Sequence, residues 1–146
     1  MNKPILFYKT NEPYGCFSNF SKHGFSIDGI YWSTSEHYFQ AQKFHDKKIQ
    51  NIIREQLSPM KAAEMGRNRV FSLRNDWELV KDDVMRLAVF EKFRQNEVIR
   101  NILLSTKDAI LIEHTYNDRY WADGGDGTGN NMLGIILMET RKLLEE

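Results

Sequence analysis

The sequence predicts an α+β fold, a helix-rich single domain with a small sheet that spans residues 1–146. Short segments of alternating apolar residues predict strands, and longer segments with apolar residues at helical spacing predict helices. No repeat, low-complexity segment or Pro/Ser-rich linker divides the chain. A hydrophobic fraction of 41%, with 12% aromatic residues, is sufficient for a core, so the class of disordered proteins is excluded.

Strands are predicted for a few short segments of the chain. An apolar run predicts a strand over 5–9, and a segment with Pro and Gly predicts a turn over 11–15. Residues 25–32 alternate between apolar and polar types around Asp28-Gly29, a pair typical of two-residue β-hairpins. A last strand is predicted over 109–114. These few strands account for the small sheet.

Helices are predicted for most of the remaining chain. Ser58 is a typical N-cap, Pro59 suits the first helical position and Gly66 suits the end of that helix. Asn75 or Asp76 is expected to cap the longest helix, whose apolar residues recur on one face. The predicted helices cover 33–45, 47–56, 58–66, 76–95, 97–105 and 132–144.

Charge and cysteine content limit the possible functions. The chain has 20 Lys and Arg against 20 Asp and Glu, which disfavours a protein that follows nucleic-acid backbones by its net charge. Cys16 is the only cysteine, so neither an intrachain disulfide nor a thiolate metal cluster can form. We therefore expect no metal and a reducing, cytoplasmic location.

Membrane association is not expected from the apolar segments. Residues 1–8 lack the apolar run and the small-residue cleavage site of a signal peptide. The apolar run at 135–138 is far shorter than the roughly 20 residues of a membrane span. We expect no membrane partner. We also expect the protein to be a monomer or a weak oligomer.

The first group of candidate site residues lies on the helix predicted over 33–45. Glu36, Gln40 and Lys43 are spaced so that they share one helix face. A carboxylate, an amide and an ammonium in this arrangement can bind a polar ligand and move a proton. Two structural interpretations compete: Ser33 and Glu36 fit a capping box, and the three residues fit an ordinary solvated face.

The second group lies in a glycine-rich loop over 116–130. Asp118, Asp123 and Asp126 stand near Trp121, whose ring offers a flat surface for a base or sugar. The free N–H groups of the helix that follows would suit an anion. The spacing fits neither a calcium loop nor a Walker phosphate loop, and a plain flexible loop is the competing interpretation.

Several other polar residues are weaker candidates. Ser18 and Asn19, between two phenylalanines, fit either a local turn or contacts to a heterocycle. Arg67, Arg69 and Arg74 fit either a phosphate site or a solvated surface, and position alone favours a core role for Trp77. Motifs of serine hydrolases and zinc proteases are absent from the sequence.

Taken together, these stretches resemble a known family. They are Phe17-Ser18-Asn19-Phe20, Trp32-x-Thr34-x-Glu36-His37-Tyr38-Phe39-Gln40-Ala41-x-Lys43-Phe44, Ala62-x-x-x-Gly66-Arg67, Arg74-x-Asp76-Trp77, Met85-Arg86, Lys92-Phe93, Trp121-x-Asp123-Gly124 and Gly129-x-Asn131-x-Leu133-Gly134. In this order they resemble the NADAR superfamily, and within it the YbiA-like N-glycosidases. The resemblance extends from about Phe7 to Leu144.

The resemblance implies a helix-rich α+β enzyme that cleaves an N-glycosidic bond without a cofactor. It places the catalytic acid-base carboxylate on Glu36, with Trp77, Trp121 and Asp123 as further catalytic residues lining the pocket. Lys43 matches a family lysine, for which a Schiff base is a lesser possibility. Ala122 departs from the glycine common in relatives, which puts only the finer loop geometry in doubt.

The resemblance also implies a small-molecule substrate. Phosphoribosylamino-pyrimidine intermediates of riboflavin biosynthesis would lose ribose 5-phosphate. The substrate-binding residues are expected to be Ser18, Asn19, Phe20, Gln40, Lys43, Arg67 and Asn131. Two alternatives remain open at this stage: removal of ADP-ribose from guanine, the one case in which nucleic acid would be a partner, and non-catalytic binding of ADP-ribose or NAD.

Overall fold

The computed structural model describes residues 3–145, so residues 1, 2 and 146 of the predicted domain lie outside the described part. The helix-rich α+β prediction is confirmed, with six α-helices in the described chain. The elements are β1 (Ile5–Phe7), a 3₁₀ turn (Gly15–Phe17), β2 (Phe25–Ile27), β3 (Ile30–Trp32), α1 (Ser35–Ala41), α2 (Lys47–Arg54), α3 (Pro59–Arg67), α4 (Trp77–Gln95), α5 (Glu97–Ser105), β4 (Leu111–Glu113) and α6 (Met132–Leu143).

The strands form two separate two-stranded sheets. β1 and β4 pair in parallel, with Phe7 opposite Glu113, so two segments far apart in the sequence meet. β2 and β3 are antiparallel, and the predicted hairpin is confirmed. Its turn residues Asp28 and Gly29 have φ of 53° and 79°, as a type I′ turn requires.

Helix starts follow the predicted capping chemistry at α3 but not at α1. The Ser58 hydroxyl accepts a hydrogen bond from the Lys61 N–H at 3.1 Å, as predicted. In α1 the N-cap is Thr34, whose hydroxyl accepts from the His37 N–H at 3.0 Å. The capping-box interpretation of Ser33 and Glu36 is therefore wrong, and the Glu36 side chain is available for other contacts.

Helix α1 is shorter than predicted and is the most enclosed element. All seven of its residues are buried, because it lies between two hydrophobic clusters. Phe39 packs into the cluster that includes Trp77, α4 and α6, while Tyr38 packs into the cluster with the β2–β3 hairpin. Side chains on a helix enclosed in this way have few alternative rotamers, which suits a precise site.

The bounds of the other helices agree closely with the prediction. α5 covers the predicted residues, and α4 begins after Asp76. Within 3–145, no helix has both the length and the apolar character needed to cross a membrane.

His37 links the start of α1 to the end of α2. Its Nδ1 lies 2.7 Å from the Thr34 hydroxyl, and its Nε2 lies 2.9 Å from the carbonyl oxygen of Gln56. Because a carbonyl only accepts, Nε2 carries the proton, and a neutral ring leaves Nδ1 to accept from Thr34. Burial lowers the pKa of His37 below its usual value, against the opposing effect of the Gln56 bond.

This histidine makes stability sensitive to acid. The unfolded chain binds a proton at His37 near pH 6.5, whereas the folded protein resists it, so the free energy of unfolding should decrease as pH falls below about 6.5. Urea titrations between pH 8 and pH 5 measure this change. His37→Gln should flatten the dependence, whereas His45→Gln, at an exposed histidine, should leave it intact.

Candidate active site

A cleft of about 990 Å³ opens beside α1. It is bounded by the segment after β1, by α1 and α3, and by β4 with the loop that follows it. Its volume is within the range of small-molecule sites. The structure places eight of the predicted site residues in its lining: Ser18, Asn19, Phe20, Glu36, Gln40, Lys43, Arg67 and Trp121.

Glu36 is the buried carboxylate of the cleft, with 8% of its surface exposed. Its Oε2 accepts a hydrogen bond from Gln40 Nε2 at 2.7 Å, one turn along α1. Burial raises the pKa of Glu36 above its usual value. The Gln40 bond and the charges of Lys43 and Arg67 act in the opposite direction and favour the ionised form.

Gln40 is held against Glu36 by a close helix contact. A Cβ atom on Gly66 of α3 would lie 2.0 Å from Gln40 Oε1 and 2.9 Å from Gln40 Cβ, so only glycine leaves room for this amide. The Oε1 atom is buried without a hydrogen-bond partner within the described chain. Gly66, which was predicted to end its helix, therefore leaves the space that lets the Gln40 amide contact the Glu36 carboxylate.

Substitution of Gly66 by Ala should move the Gln40 amide away from Glu36. Loss of a hydrogen bond to a charged group amounts to about 1.5–3 kcal/mol, so kcat/KM should fall about tenfold or more. Steady-state kinetics on the purified variant measures this. Ala63→Gly, a change in the same helix at another buried position, controls for general loosening of α3. Unchanged kinetics in Gly66→Ala would contradict the positioning role of this contact.

Lys43 follows α1 and is the buried cation of the cleft. Its Nζ lies 5.8 Å from the ring centroid of Phe39. Burial lowers its pKa to about 8, although the Glu36 charge acts against this. The amine therefore has an appreciable neutral fraction at mildly alkaline pH.

The Ser18–Asn19 segment is clamped between α1 and α4. Asn19 Oδ1 accepts from Ser35 Oγ at 2.8 Å, and Asn19 Nδ2 lies 3.5 Å from Met85 Sδ. The Asn19 carbonyl accepts from the Glu36 N–H at 3.1 Å. The Asn19 side chain thus holds the start of α1, and its amide is committed to the protein.

A buried lysine on α4 holds the backbone of the Ser18–Asn19 segment. Lys92 Nζ donates to the Ser18 carbonyl at 2.9 Å, and that oxygen also accepts from the Ser21 N–H at 3.1 Å. Burial lowers the pKa of Lys92 to about 7. Lys92, which the sequence prediction did not include in the site, lies directly behind the cleft wall.

The opposite side of the cleft is acidic. Glu113 ends β4, is half-buried and lines the cleft together with Asp118. Burial, together with the charges of Asp118, Glu36 and Asp123, raises the pKa of Glu113 to about 7. Asp118 Oδ1 accepts from the N–H groups of Tyr120 and Trp121, both at 2.8 Å.

Asp123, predicted as catalytic, lies beside the cleft and is absent from the described lining. Its Oδ2 lies 2.7 Å from His114 Nδ1, and its Oδ1 accepts from the N–H groups of Thr115 and Gly125. Burial acts to raise its pKa, but these hydrogen bonds outweigh burial and lower it. In this structure Asp123 organises the glycine-rich loop.

Asn131, predicted to bind substrate, also lies outside the described lining. Its Oδ1 accepts from the Glu113 N–H at 3.0 Å and its Nδ2 donates to the Leu111 carbonyl at 2.9 Å. The first N–H groups of α6 donate to the carbonyls of Tyr120 and Trp121. The predicted anion site at this helix start is therefore wrong, because its donors are already used.

The two predicted tryptophans occupy different positions. Trp121 lines the cleft, edge to face with Phe39 at a centroid distance of 5.3 Å. Trp77 is buried with 5% exposure, packs edge to face with Phe39 at 5.0 Å and is absent from the described lining. This agrees with the core role that its helix position predicted, and the catalytic role that the resemblance implies for Trp77 stays a prediction.

The predicted basic group is also divided. Arg67 lines the cleft, whereas Arg69 donates to the Gly66 carbonyl at 2.9 Å. Arg74 forms a two-bond ion pair with Asp76, at 2.6 and 3.0 Å. Lys43 and Arg67 are thus the predicted cations that face the cleft. Within 3–145, no three His, Cys, Asp or Glu side chains are arranged to hold a metal ion.

Glu113 is the main residue that the sequence prediction missed. The strand over 109–114 was predicted, but a glutamate at the end of a short strand carries no motif of its own. Its carboxyl reaches the Glu36 region only because β4 pairs with β1 and the following loop returns over it. Asp118 was recognised in the loop, without a role beyond the acidic cluster.

Comparison with known proteins identifies similar chains. The family model described as "NADAR domain" matches residues 6–145. The N-glycosidase YbiA of Shigella flexneri serotype 5b is 55% identical over 140 residues, covering 96% of this chain and 88% of the relative. The riboflavin biosynthesis protein VVA0006 of Vibrio vulnificus is 41% identical over 146 residues, covering all of this chain and 40% of the relative.

A solved structure shows the same fold. The NMR structure of the Escherichia coli protein YbiA superposes with a TM-score of 0.90 and is 54% identical, covering 97% of this chain and 84% of that chain. The similarity therefore extends over nearly the whole chain and includes the elements that build the cleft.

Proposed function

Because this chain belongs to the NADAR family and is an N-glycosidase, a hydrolase of N-glycosyl bonds, we propose that it acts on phosphoribosylamino-pyrimidine intermediates of riboflavin biosynthesis. Hydrolysis would release ribose 5-phosphate and the free aminopyrimidine. One observation carries the proposal: a buried carboxylate, Glu36, lies in a cleft with three cations and an aromatic wall. The riboflavin biosynthesis name of the Vibrio relative supports the substrate class.

The chemistry of the bond defines what the site has to provide. Cleavage of a ribosyl C–N bond passes through a state with positive charge on the sugar, as in glycoside hydrolysis. Glu36 supplies a negative charge close to that carbon and accepts a proton from the attacking water. The Gln40 amide at 2.7 Å fixes the carboxylate for this task.

The remaining residues bind the two ends of the substrate. Lys43 and Arg67 face the cleft as cations and would pair with the 5′-phosphate. Trp121 and Phe20 offer apolar walls for the pyrimidine ring. Asp123 would act through the loop that it organises, by holding Thr115 and Gly125 beside the cleft. With this substrate, the binding partner of the protein is a small molecule.

A side-by-side assay tests the proposal. The purified protein is incubated with a phosphoribosylamino-pyrimidine and, separately, with ADP-ribosylated guanosine, and ribose 5-phosphate and ADP-ribose are quantified. Release of ribose 5-phosphate at the higher kcat/KM is the expected result. Faster release of ADP-ribose would replace the proposed substrate with ADP-ribosyl-guanine. Tight ADP-ribose binding by calorimetry, with no turnover of either compound, would instead indicate a binding module.

Lys43 allows a separate check of the chemical route. A neutral lysine amine can attack an aldehyde-like sugar carbon and form a Schiff base. Borohydride reduction during turnover, followed by mass spectrometry, would detect a ribosyl adduct on Lys43. Direct attack by water, the proposed route, leaves the protein mass unchanged.

A further inference from the structure

Two carboxyl groups line the cleft from different elements. Burial raises the pKa of both, but their polar and charged neighbours differ. Glu36 on α1 accepts from Gln40, and the nearby cations Lys43 and Arg67 stabilise its charge. Glu113 at the end of β4 is instead influenced by the charges of further carboxylates. When two titratable groups share a site and their surroundings differ in this way, one is suited to act as base and the other as acid.

The backbone of Glu113 is fixed from three sides. Its N–H donates to Asn131 Oδ1 at 3.0 Å, and its carbonyl accepts from the Asp123 N–H at 2.8 Å. Phe7 of β1 is its partner in the parallel pair. The backbone of Glu113 is therefore held at the place where this residue lines the cleft, which suits a group that has to meet a bound substrate.

The charges around Glu113 favour its protonated form. Glu36 acts on it from α1, and Asp118 and Asp123 act on it from the loop after β4. Three cations, Lys9, Lys43 and Arg67, also line the cleft. The pKa of Glu113 is nevertheless set by burial and by the three carboxylates. Burial and like charge together raise its pKa to about 7, so near neutral pH a large fraction carries a proton.

We propose that Glu113 is the general acid that protonates the departing nitrogen, with Glu36 as the general base. This rests on the proposed function. As the C1′–N bond breaks, its electron pair goes to nitrogen, which takes the proton of the Glu113 carboxyl. The oxygen of water bonds to C1′, and the proton of that water goes to Glu36. Solvent then returns a proton to Glu113 and removes one from Glu36, which restores both groups.

The pH dependence of turnover tests this assignment. A general acid is lost as pH rises, so kcat/KM of the unmodified enzyme should fall above about pH 7. Glu113→Gln keeps the shape but has no proton to donate. Its kcat should fall about 10²–10⁴-fold, and the decline that begins near pH 7 should move to higher pH, where Lys43 loses its charge. Glu139→Gln, an exposed glutamate on α6, is the matched control and should keep both rate and profile.

Two further measurements separate catalysis from structure. Glu113→Asp retains a carboxyl group and should recover part of the rate together with the decline that begins near pH 7. In the free protein, ¹³C NMR of the glutamate carboxyl groups should show Glu113 titrating near pH 7, and Glu36→Gln should lower that value by removing a like charge.

Failure of the general-acid role and failure of the proposed substrate give different experimental results. A decline that still begins near pH 7 in Glu113→Gln, or a Glu113 carboxyl that titrates in the ordinary glutamate range, overturns the general-acid role while the N-glycosidase assignment stands. If the unmodified protein releases ribose 5-phosphate from no phosphoribosylamino-pyrimidine, the proposed substrate fails and the role of Glu113 on it fails as well.

Discussion

Glu36→Gln should lower kcat by about 10²–10⁴-fold, the usual contribution of a positioned acid-base group. Glutamine has the same shape and can still accept from Gln40, so the geometry of α1 should persist. What disappears is the negative charge beside the sugar carbon and the acceptor for the proton of water. Because the missing interaction belongs to the transition state, KM should change little.

The melting temperature of Glu36→Gln is a second measurement on this variant. Burial disfavours the Glu36 carboxylate, so a neutral side chain there should not lower the melting temperature. Glu97→Gln on the exposed start of α5 serves as the matched control for both readouts. Near-normal release of ribose 5-phosphate by Glu36→Gln would remove Glu36 from the chemistry.

Gly134→Ala should destabilise the fold, although the same change in a helix is usually favourable. Alanine stabilises helix interiors by roughly 0.5–1 kcal/mol relative to glycine. At position 134, however, a Cβ would lie 2.0 Å from the Leu111 carbonyl oxygen and 2.4 Å from Asn131 Nδ2. One of these contacts is to backbone, so α6 would have to move away from β4.

The expected loss is about 1–3 kcal/mol, the range for overpacked interiors. Urea denaturation at neutral pH measures it, with Lys142→Ala on the exposed side of α6 as control. Because Asn131 holds the Glu113 N–H, activity should fall further than the folded fraction alone explains. An increase in stability would show that α6 and β4 are less tightly packed than the structure indicates.

Helix starts and turns could be predicted from the sequence where the preferences of a few adjacent residues determine them. Ser58-Pro59 and Asp28-Gly29 carry their capping and turn preferences within a few residues, and both predictions are confirmed. The first turn of α1 was harder, because Ser33 and Thr34 are both good caps. The structure selects Thr34, whose hydroxyl also contacts the ring of His37.

The composition of the site was predictable only in part. Eight predicted residues line the cleft, among them Glu36, which shared motifs had marked. Asp123 and Asn131 belong to the same motifs, yet their side chains bind backbone groups of the loop and of β4. A motif records which residues occur together but not which of them face the ligand. Glu113 depends on strand pairing, which no local pattern encodes.

The pairing of β1 with β4 also bears on the order of folding. Most of the chain lies between Phe7 and Glu113, and closure of so long a loop is entropically unfavourable until many other contacts exist. Local contacts within α4 and α5 form sooner than such long-range pairs. During refolding, helical circular dichroism should therefore recover before hydrolytic activity. The cleft is among the last parts of the molecule to be assembled, and enzyme activity reports complete folding better than helix content does.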